Sequence, residues 1–305
     1  MYLFRLLYVI FQSFYLHFIT RIPNLTKLPA HIDTNDISRI YANVWQSNTG
    51  SDKRVILLLS GLYSLSYHGY MRKMVDDMLL DPTISQQYKI IVYENERKTN
   101  LIVAMDVIDY IKTLDKEADG LEEIVVFGFS AGGILASHVM HDLKDLSCYK
   151  KIITYDTPIQ IIDVLRSFSE SRLLRMDMLC YYMVILQVYK NHYNADDIIP
   201  VLPKKYLGFE NTLDLIQKIH GFTRDELMFK TRFQFDQDPE VDIVNIYCKH
   251  DPIIDRMLVR SRECGMNDSR MLNIEKGMVG HCSDMMYGRE YIKHIIRAIS
   301  YRKIN

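Results

Sequence analysis

The chain of 305 residues has few cysteines and almost no net charge, and both shortages exclude classes of protein. Its five cysteines form no C-x-x-C pair, and an odd number cannot make a complete disulfide framework, so a reducing, cytoplasmic compartment is expected. The formal net charge is −1, and no basic tract with interleaved aromatic residues occurs. Nucleic acid is therefore not an expected partner. The cysteines are Cys148, Cys180, Cys248, Cys264 and Cys282.

The most informative segment that is present is Gly128-Phe-Ser-Ala-Gly132, a G-x-S-x-G motif. A short apolar run precedes it and a helix-forming stretch follows. A sharp turn from a strand into a helix strains the residue at the centre of the turn. The residues at 128 and 132 must therefore have small side chains or none. The turn would present the Ser130 hydroxyl at a helix N-terminus, where developing negative charge is favoured. The motif therefore predicts Ser130 as the nucleophile of an acyl transfer.

A second segment is expected to supply one of the two oxyanion donors. Residues 54–60 are typical of a buried strand, and Gly61-Leu62-Tyr63-Ser64 follows it. This is the place where a second backbone donor is needed beside the nucleophile turn. We expect the backbone N–H groups of Leu62 and Ala131 to form the oxyanion hole.

An acid and a base follow in an informative order. Residues 241–247 predict another strand, with Asp251 just beyond its end, and residues 273–280 lead to His281. The chain order Ser130, Asp251, His281 is typical of α/β-hydrolases and differs from that of other serine hydrolase folds. We expect Asp251 to orient His281, and His281 to act as the base.

Other residues could fill the same roles. Asp156 follows the predicted strand at 151–155 and is an alternative acid, while Asp255 is a weaker reserve. His250 is adjacent to Asp251 in sequence and therefore poorly placed to face it. His294 lies within a predicted terminal helix. Asp251 and His281 remain the preferred pair.

No metal or organic cofactor is expected. His138 and His141 share a helical face, but no third ligand with suitable spacing occurs, so a solvated face is the better interpretation. Cys282, beside His281, is interpreted as a small packed residue. A base would activate the nucleophile, and backbone donors would hold the oxyanion, so the chemistry requires nothing else.

From residue 54 onward the sequence resembles a capped α/β-hydrolase of the lipase and esterase type. Gly128–Gly132, Asp251-Pro-Ile-Ile and Gly280-His281 are similar to the nucleophile, acid and base segments of monoacylglycerol-lipase-like members. The sequence departs from many members at Ser60-Gly61, where they have His-Gly, and at Glu94-Asn-Glu-Arg-Lys98, where they carry a glycine-bearing loop.

The resemblance implies a hydrolase of carboxylic esters. Its expected substrate is a lipid ester such as a monoacylglycerol or a lysophospholipid. A thioesterase or an acyltransferase would use the same serine. The alternative from another class is a catalytically silent α/β-hydrolase scaffold that serves as a binding or membrane-interaction protein.

The alternation of strand and helix patterns predicts an α/β protein with a mostly parallel central sheet and helices on both faces. The pattern assigns residues 33–158 and 240–305 to this core. Between 159 and 239 the strand pattern disappears, and a helical cap insertion is expected there.

The first residues form a separate feature. Residues 1–22 are apolar, with Arg5, Gln12, Ser13 and His17 as the strongly polar interruptions of the first 20. These interruptions favour a signal anchor or an interfacial helix over a clean membrane span. A helix that packs on the core is the alternative, and the first interpretation predicts a membrane-associated protein.

Overall fold

A computed structural model describes residues 37–41, 44–61, 70–93, 105–163, 217, 223–234, 240–248, 271–276 and 289–302. Within these residues, eight strands form one sheet in the order β1-β2-β4-β3-β5-β6-β7-β8. Strands β3 to β8 run parallel to one another, while β1 and β2 form an antiparallel edge in which β2 pairs with β4. The strands are β1 (Ile37–Tyr41), β2 (Val44–Ser47), β3 (Arg54–Leu59), β4 (Lys89–Tyr93), β5 (Glu123–Phe129), β6 (Tyr149–Tyr155), β7 (Asp242–Cys248) and β8 (Met271–Lys276).

Helices cover both faces of the sheet. They are α1 (Tyr70–Leu79), α2 (Pro82–Ser85), α3 (Met105–Glu117), α4 (Ala131–Asp142), α5 (Arg224–Lys230) and α6 (Glu290–Ser300). One apolar cluster joins the sheet to α1, α2 and α6, and a second joins it to α3, α4 and α5. The central strands are therefore buried on both faces, which explains their continuous apolar sequences.

Helices α1 and α6 each have an apolar stripe, and both pack on the same face of the sheet. In α1 the buried residues recur at helical spacing, and α6 has the same kind of apolar stripe. Both stripes belong to one apolar cluster. The buried side chains are Met71, Met74, Val75 and Met78 in α1, and Tyr291, Ile292, Ile295, Ala298 and Ile299 in α6.

The amino edge of the sheet, where the parallel strands begin, carries a charged cluster around Glu123. The Glu123 side chain is 1% exposed. Its Oε2 accepts hydrogen bonds from Arg54 Nη2 at 2.6 Å, the Tyr88 hydroxyl at 2.9 Å and Arg302 Nη2 at 2.9 Å. Arg54 and Glu123 are paired directly across β3 and β5. The cluster ties the start of two central strands to the residues that follow α6.

A buried cation binds the end of α6. Lys151 in β6 is 0% exposed, and its ammonium donates to the carbonyls of Ala298, Ile299 and Tyr301 at 2.5 to 3.1 Å. The last carbonyls of a helix carry partial negative charge, which favours a cation there. Burial lowers the pKa of Lys151 to about 8.

The predicted fold class is confirmed, and most predicted elements are present with shifted ends. The strands expected at 54–60, 151–155 and 241–247 correspond to β3, β6 and β7. A weak alternation over residues 37–45 predicts a single edge strand, but β1 and β2 form an antiparallel pair there. A weak alternation of apolar and polar residues does not reveal which strands pair through their backbones.

The division into core and cap stays a prediction. Within 159–239 the structure describes 159–163, 217 and 223–234, where α5 begins with a capping box between Thr223 and Glu226. The apolar segment 1–22 lies outside the described residues. Among the residues described, no helix has the length and apolarity needed to cross a membrane.

Candidate active site

Ser130 lies at the junction of β5 and α4, in a strained backbone conformation. Its φ is 48° and its ψ is −124°. Its N–H donates to the Tyr155 carbonyl at 2.8 Å, and its carbonyl accepts from the Gly133 N–H at 3.0 Å. A non-glycine residue held in such a sparsely populated region costs about 1–3 kcal/mol. The turn therefore has the strain that the G-x-S-x-G motif predicts.

Close backbone contacts explain both glycines of the motif. A Cβ on Gly128 would lie 2.2 Å from the Gly132 carbonyl oxygen. A Cβ on Gly132 would lie 2.5 Å from the carbonyl oxygens of Leu59 and Ser60. Because these neighbours are backbone atoms, no side-chain rotation could relieve either overlap. The absence of bulk at both positions is a steric requirement of this turn.

The N-terminus of α4 lies beside the carboxyl end of β3. Ser130 is the N-cap of α4, yet its side chain makes no capping hydrogen bond. Ala131 follows and is buried, and the contact between Gly132 and Ser60 brings the chain towards Leu62 close to this helix end. Leu62 itself lies outside the described residues, so the paired oxyanion donors remain a prediction.

Asp156 directly follows β6, just as Ser130 directly follows the neighbouring strand β5. The register pairs Phe129 with Tyr155, so Ser130 and Asp156 each lie one residue beyond a paired position. Asp156 also has a positive φ, 47°, and is 0% exposed. Its N–H donates to the Ile246 carbonyl at 2.8 Å. Two strained, non-glycine residues therefore lie side by side at the carboxyl edge of the sheet.

Sequence reasoning missed one further contact at this edge. A Cβ on Gly133 would lie 2.0 Å from Thr157 Oγ1, so α4 packs tightly against the chain that leaves β6. Thr157 is 9% exposed, and its buried hydroxyl oxygen has no hydrogen-bond partner among the residues that the structure describes. The sequence did carry a signal for this contact, because Gly133 is an additional glycine that the G-x-S-x-G motif does not require.

The preferred acid and base both lie outside the described residues. Strand β7 ends at Cys248, shortly before Asp251, and β8 ends at Lys276, shortly before His281. Cys248 and Lys276 are paired in a parallel register, so β7 and β8 both end at the carboxyl edge of the sheet, where Ser130 lies. His250, Asp255 and Cys282 are also outside the described residues. Whether Ser130, Asp251 and His281 form a triad stays a prediction.

The two histidines of α4 differ in their surroundings. His141 is exposed, as expected, but the solvated position expected for His138 is wrong. The His138 ring packs edge-on against Phe229 of α5, with centroids 5.3 Å apart. Burial, with the nearby Lys230, lowers the pKa of His138 to about 4. No group of three potential metal ligands occurs among the described residues.

Comparisons with known proteins bear on the fold. No family model matches the sequence, and no curated protein matches it either. Among solved structures, a putative esterase from Staphylococcus aureus is similar with a TM-score of 0.53 at 13% identity, over 89% of this chain and 85% of that one. The Francisella virulence factor BioJ is similar with a TM-score of 0.51 at 17% identity, over 84% of this chain and 78% of that one.

A Pyrobaculum calidifontis esterase is similar with a TM-score of 0.51 at 14% identity, over 84% of this chain and 78% of that one. Identities this low support a common fold and nothing finer. The mostly parallel sheet and the strained Ser130 between β5 and α4 are the features that the G-x-S-x-G motif predicts for this fold. The chain therefore has the α/β-hydrolase fold.

Proposed function

We propose that this protein is a serine hydrolase that cleaves a carboxylic ester through an acyl-enzyme. The observation that carries the proposal is Ser130, a strained residue at the N-terminus of α4 whose hydroxyl is not used as a cap. Strain of this kind persists where the surrounding structure enforces it, and it is concentrated at active sites. Two of the similar structures are described as esterases, one of them putatively, which supports the same reaction class.

The proposed reaction has two steps. Ser130 Oγ attacks the ester carbonyl while His281 takes the hydroxyl proton, and Asp251 orients and stabilises the imidazolium. The tetrahedral intermediate then collapses, the bond to the alcohol breaks, and His281 returns the proton to the leaving alkoxide. A water molecule attacks the acyl-enzyme by the same route, which releases the carboxylic acid and restores Ser130.

Backbone donors would stabilise the oxyanion. The Ala131 N–H belongs to the first turn of α4, where N–H groups lack intrahelical partners and the helix dipole favours negative charge. The Leu62 N–H is the proposed second donor. Removing one such donor from an oxyanion hole typically costs about 10²–10³ in kcat. This arrangement needs no metal or organic cofactor.

The finer part of the proposal concerns the substrate. We favour a lipid ester, such as a monoacylglycerol or a lysophospholipid, hydrolysed by a capped lipase-like enzyme at a membrane surface. The support is the apolar segment 1–22 and the apolar composition of the proposed cap at 159–239. A series of p-nitrophenyl esters tests this point, since a lipid esterase should have a higher kcat/KM for long acyl chains than for acetate.

The first experiment tests the nucleophile. The purified protein and its Ser130→Ala variant would be treated with a fluorophosphonate probe, which reacts covalently with activated serines. We expect labelling of the parent and none of the variant. A folded parent that stays unlabelled would instead favour the silent scaffold, and labelling of both proteins would place the reactive serine elsewhere.

The second experiment identifies the acid. Asp251→Asn should lower the rate of labelling by about 10⁴, because the histidine loses the partner that holds its tautomer and orientation. Asp156→Asn should keep most of the parent rate. The opposite result, obtained with both variants folded by circular dichroism, would assign the acid to Asp156.

A further inference from the structure

A strained turn after β6 brings Thr157 against the first turn of α4. The Asp156 N–H still belongs to the sheet, since it donates to the Ile246 carbonyl at 2.8 Å. At Asp156 the backbone takes a φ of 47°, and the chain leaves β6. The next side chain, that of Thr157, packs on Gly133, the third residue of α4. The strained turn therefore determines which residue lies against the helix that follows Ser130.

The contact between Thr157 and Gly133 is tight and rigid. The three atoms nearest to a Cβ built on Gly133 all belong to the Thr157 side chain, and all lie within 2.8 Å of that Cβ. Thr157 is β-branched, which restricts rotation of its side chain, and it precedes Pro158, which restricts its backbone to extended conformations. Thr157 therefore has little freedom to move away from α4.

The contact also combines two unfavourable features. The buried Thr157 hydroxyl oxygen has no hydrogen-bond partner among the described residues, and burial of an unpaired hydroxyl is unfavourable. The positive φ of Asp156 is unfavourable as well. Neither feature stabilises the fold, so the contact that they produce has another explanation, and its neighbour Ser130 provides one.

Gly133 connects Thr157 to the nucleophile. Its N–H donates to the Ser130 carbonyl at 3.0 Å, so the two residues are joined directly. The strained conformation of Ser130 persists only where neighbouring atoms enforce it. We propose that Thr157 is a positioning residue that braces Gly133 and stops the first turn of α4 from relaxing towards β6. The brace holds Ser130 and the Ala131 N–H in place for the reaction. The effect on the rate rests on the proposed function.

The rate of labelling tests the brace. Thr157→Ala removes the Oγ1 and Cγ2 atoms that lie against Gly133, so the turn at Ser130 gains room to relax. A displacement of a reacting group by about 1 Å can lower a rate by about 10²-fold. We expect the maximal rate of fluorophosphonate labelling, kinact, to fall by about tenfold or more. The half-saturating concentration, KI, should change by less than about twofold, since binding of the probe is not affected.

Thr157→Val separates the shape of the side chain from its hydroxyl. Valine keeps two γ atoms and loses only the unpaired oxygen, so kinact should match that of the parent. The thermal midpoint should rise, because no hydroxyl is then buried without a partner. A loss of kinact as large as that in Thr157→Ala would assign the effect to the hydroxyl and would overturn the brace.

The matched control is Val139→Ala. Val139 is 1% exposed and belongs to the same helix, about two turns beyond Ser130. This substitution also removes two γ atoms from a buried side chain, so both variants should lower the thermal midpoint, and both are assayed well below it. Only Thr157→Ala should lower kinact. An equal loss in Val139→Ala would show that any loosening of α4 has this effect, and it would overturn the positioning role.

Thermal midpoints test the strain directly and need no activity. In the parent, Ser130→Gly should raise the midpoint by about 2 °C, because glycine accepts a φ of 48° without strain. If Thr157 enforces the strain, Thr157→Ala already releases it, so adding Ser130→Gly to Thr157→Ala should give at most half of that rise. An equal rise in the two backgrounds would show that Thr157 does not hold Ser130 in its strained conformation.

Thr157→Ser guards against a failure of Thr157→Ala to fold. It removes Cγ2 alone and should lower kinact in the same direction, by less. Parent values of kinact in Thr157→Ser and in any folded Thr157→Ala protein would overturn the positioning role while leaving the proposed function intact. An unlabelled parent would overturn the proposed function itself, and the thermal midpoints would still decide whether Thr157 braces the turn.

Discussion

The two edges of the sheet are built from different interactions. At the carboxyl edge, Ser130 and Asp156 have positive φ angles, and backbone atoms approach so closely that only glycine fits at 128 and 132. At the amino edge, Glu123 is paired with two arginines. Lys151, farther along the sheet towards α6, donates to three carbonyls. One edge stores strain, while the other pairs buried charges.

This difference separates the edge of the sheet that carries the proposed active site from the edge that holds the fold together. Strained conformations persist only when surrounding contacts enforce them, and they accumulate where a side chain must be presented to a substrate. Paired charges at the opposite edge carry no such strain, so their removal should lower stability without changing chemistry. Substitutions at the two edges should therefore separate activity from stability.

The largest effect is expected from Gly132→Ala at the carboxyl edge. Its Cβ would overlap the carbonyl oxygens of Leu59 and Ser60 at 2.5 Å, and the backbone must shift to relieve the overlap. We expect a loss of about 4 kcal/mol in the free energy of unfolding, measured by urea denaturation. Fluorophosphonate labelling should be lost as well, because the turn at Ser130 is displaced.

Gly120→Ala is the matched control for this prediction. Gly120 has a φ of 93°, but its Cβ would meet nothing within 4 Å. Strain alone should cost about 1–2 kcal/mol there, with parent labelling. Gly132 has no positive φ, so a loss in Gly132→Ala no larger than that in Gly120→Ala would show that the close approach of β3 to α4 is not what makes glycine necessary there.

A smaller effect, on stability alone, is expected from Lys151→Met at the amino side. The carbonyls of Ala298, Ile299 and Tyr301 lose their buried donor, so the free energy of unfolding should fall by about 3 kcal/mol. The neighbouring Lys150 donates to the Lys144 carbonyl, and Lys150→Met should cost about 1 kcal/mol. Labelling of Ser130 should match the parent in both variants, and a loss in either would contradict the separation of the two edges.

The smallest effect has the opposite sign. Ser130→Gly removes the side chain that makes a φ of 48° unfavourable, so it should raise the free energy of unfolding by about 1 kcal/mol. Ser130→Ala keeps a Cβ and should leave the strain in place, with stability close to that of the parent. Both variants lose the hydroxyl and should not be labelled. Equal stability of the two variants would show that the turn is not strained.

Local sequence was sufficient where a residue type has one physical explanation. The G-x-S-x-G pattern predicted a strand, a turn and a helix around Ser130, because few other structures need glycine on both sides of a serine. The same reasoning could not reveal the strain at Asp156, since aspartate is common in ordinary turns. His138 was misjudged for a related reason: helical spacing shows which residues share a face but not what packs against that face.

The sequence by itself determined the alternation of strands and helices, the position of the nucleophile turn and the order of Ser130, Asp251 and His281, since these depend on local periodicity and chain order. Tertiary structure alone decided which strands became neighbours. It paired Arg54 with Glu123, brought Lys151 to the end of α6 and placed Asp77 against Arg289 and Tyr291. Those contacts join residues far apart in the chain, and only the pairing of strands and the packing of helices on the sheet could bring them together.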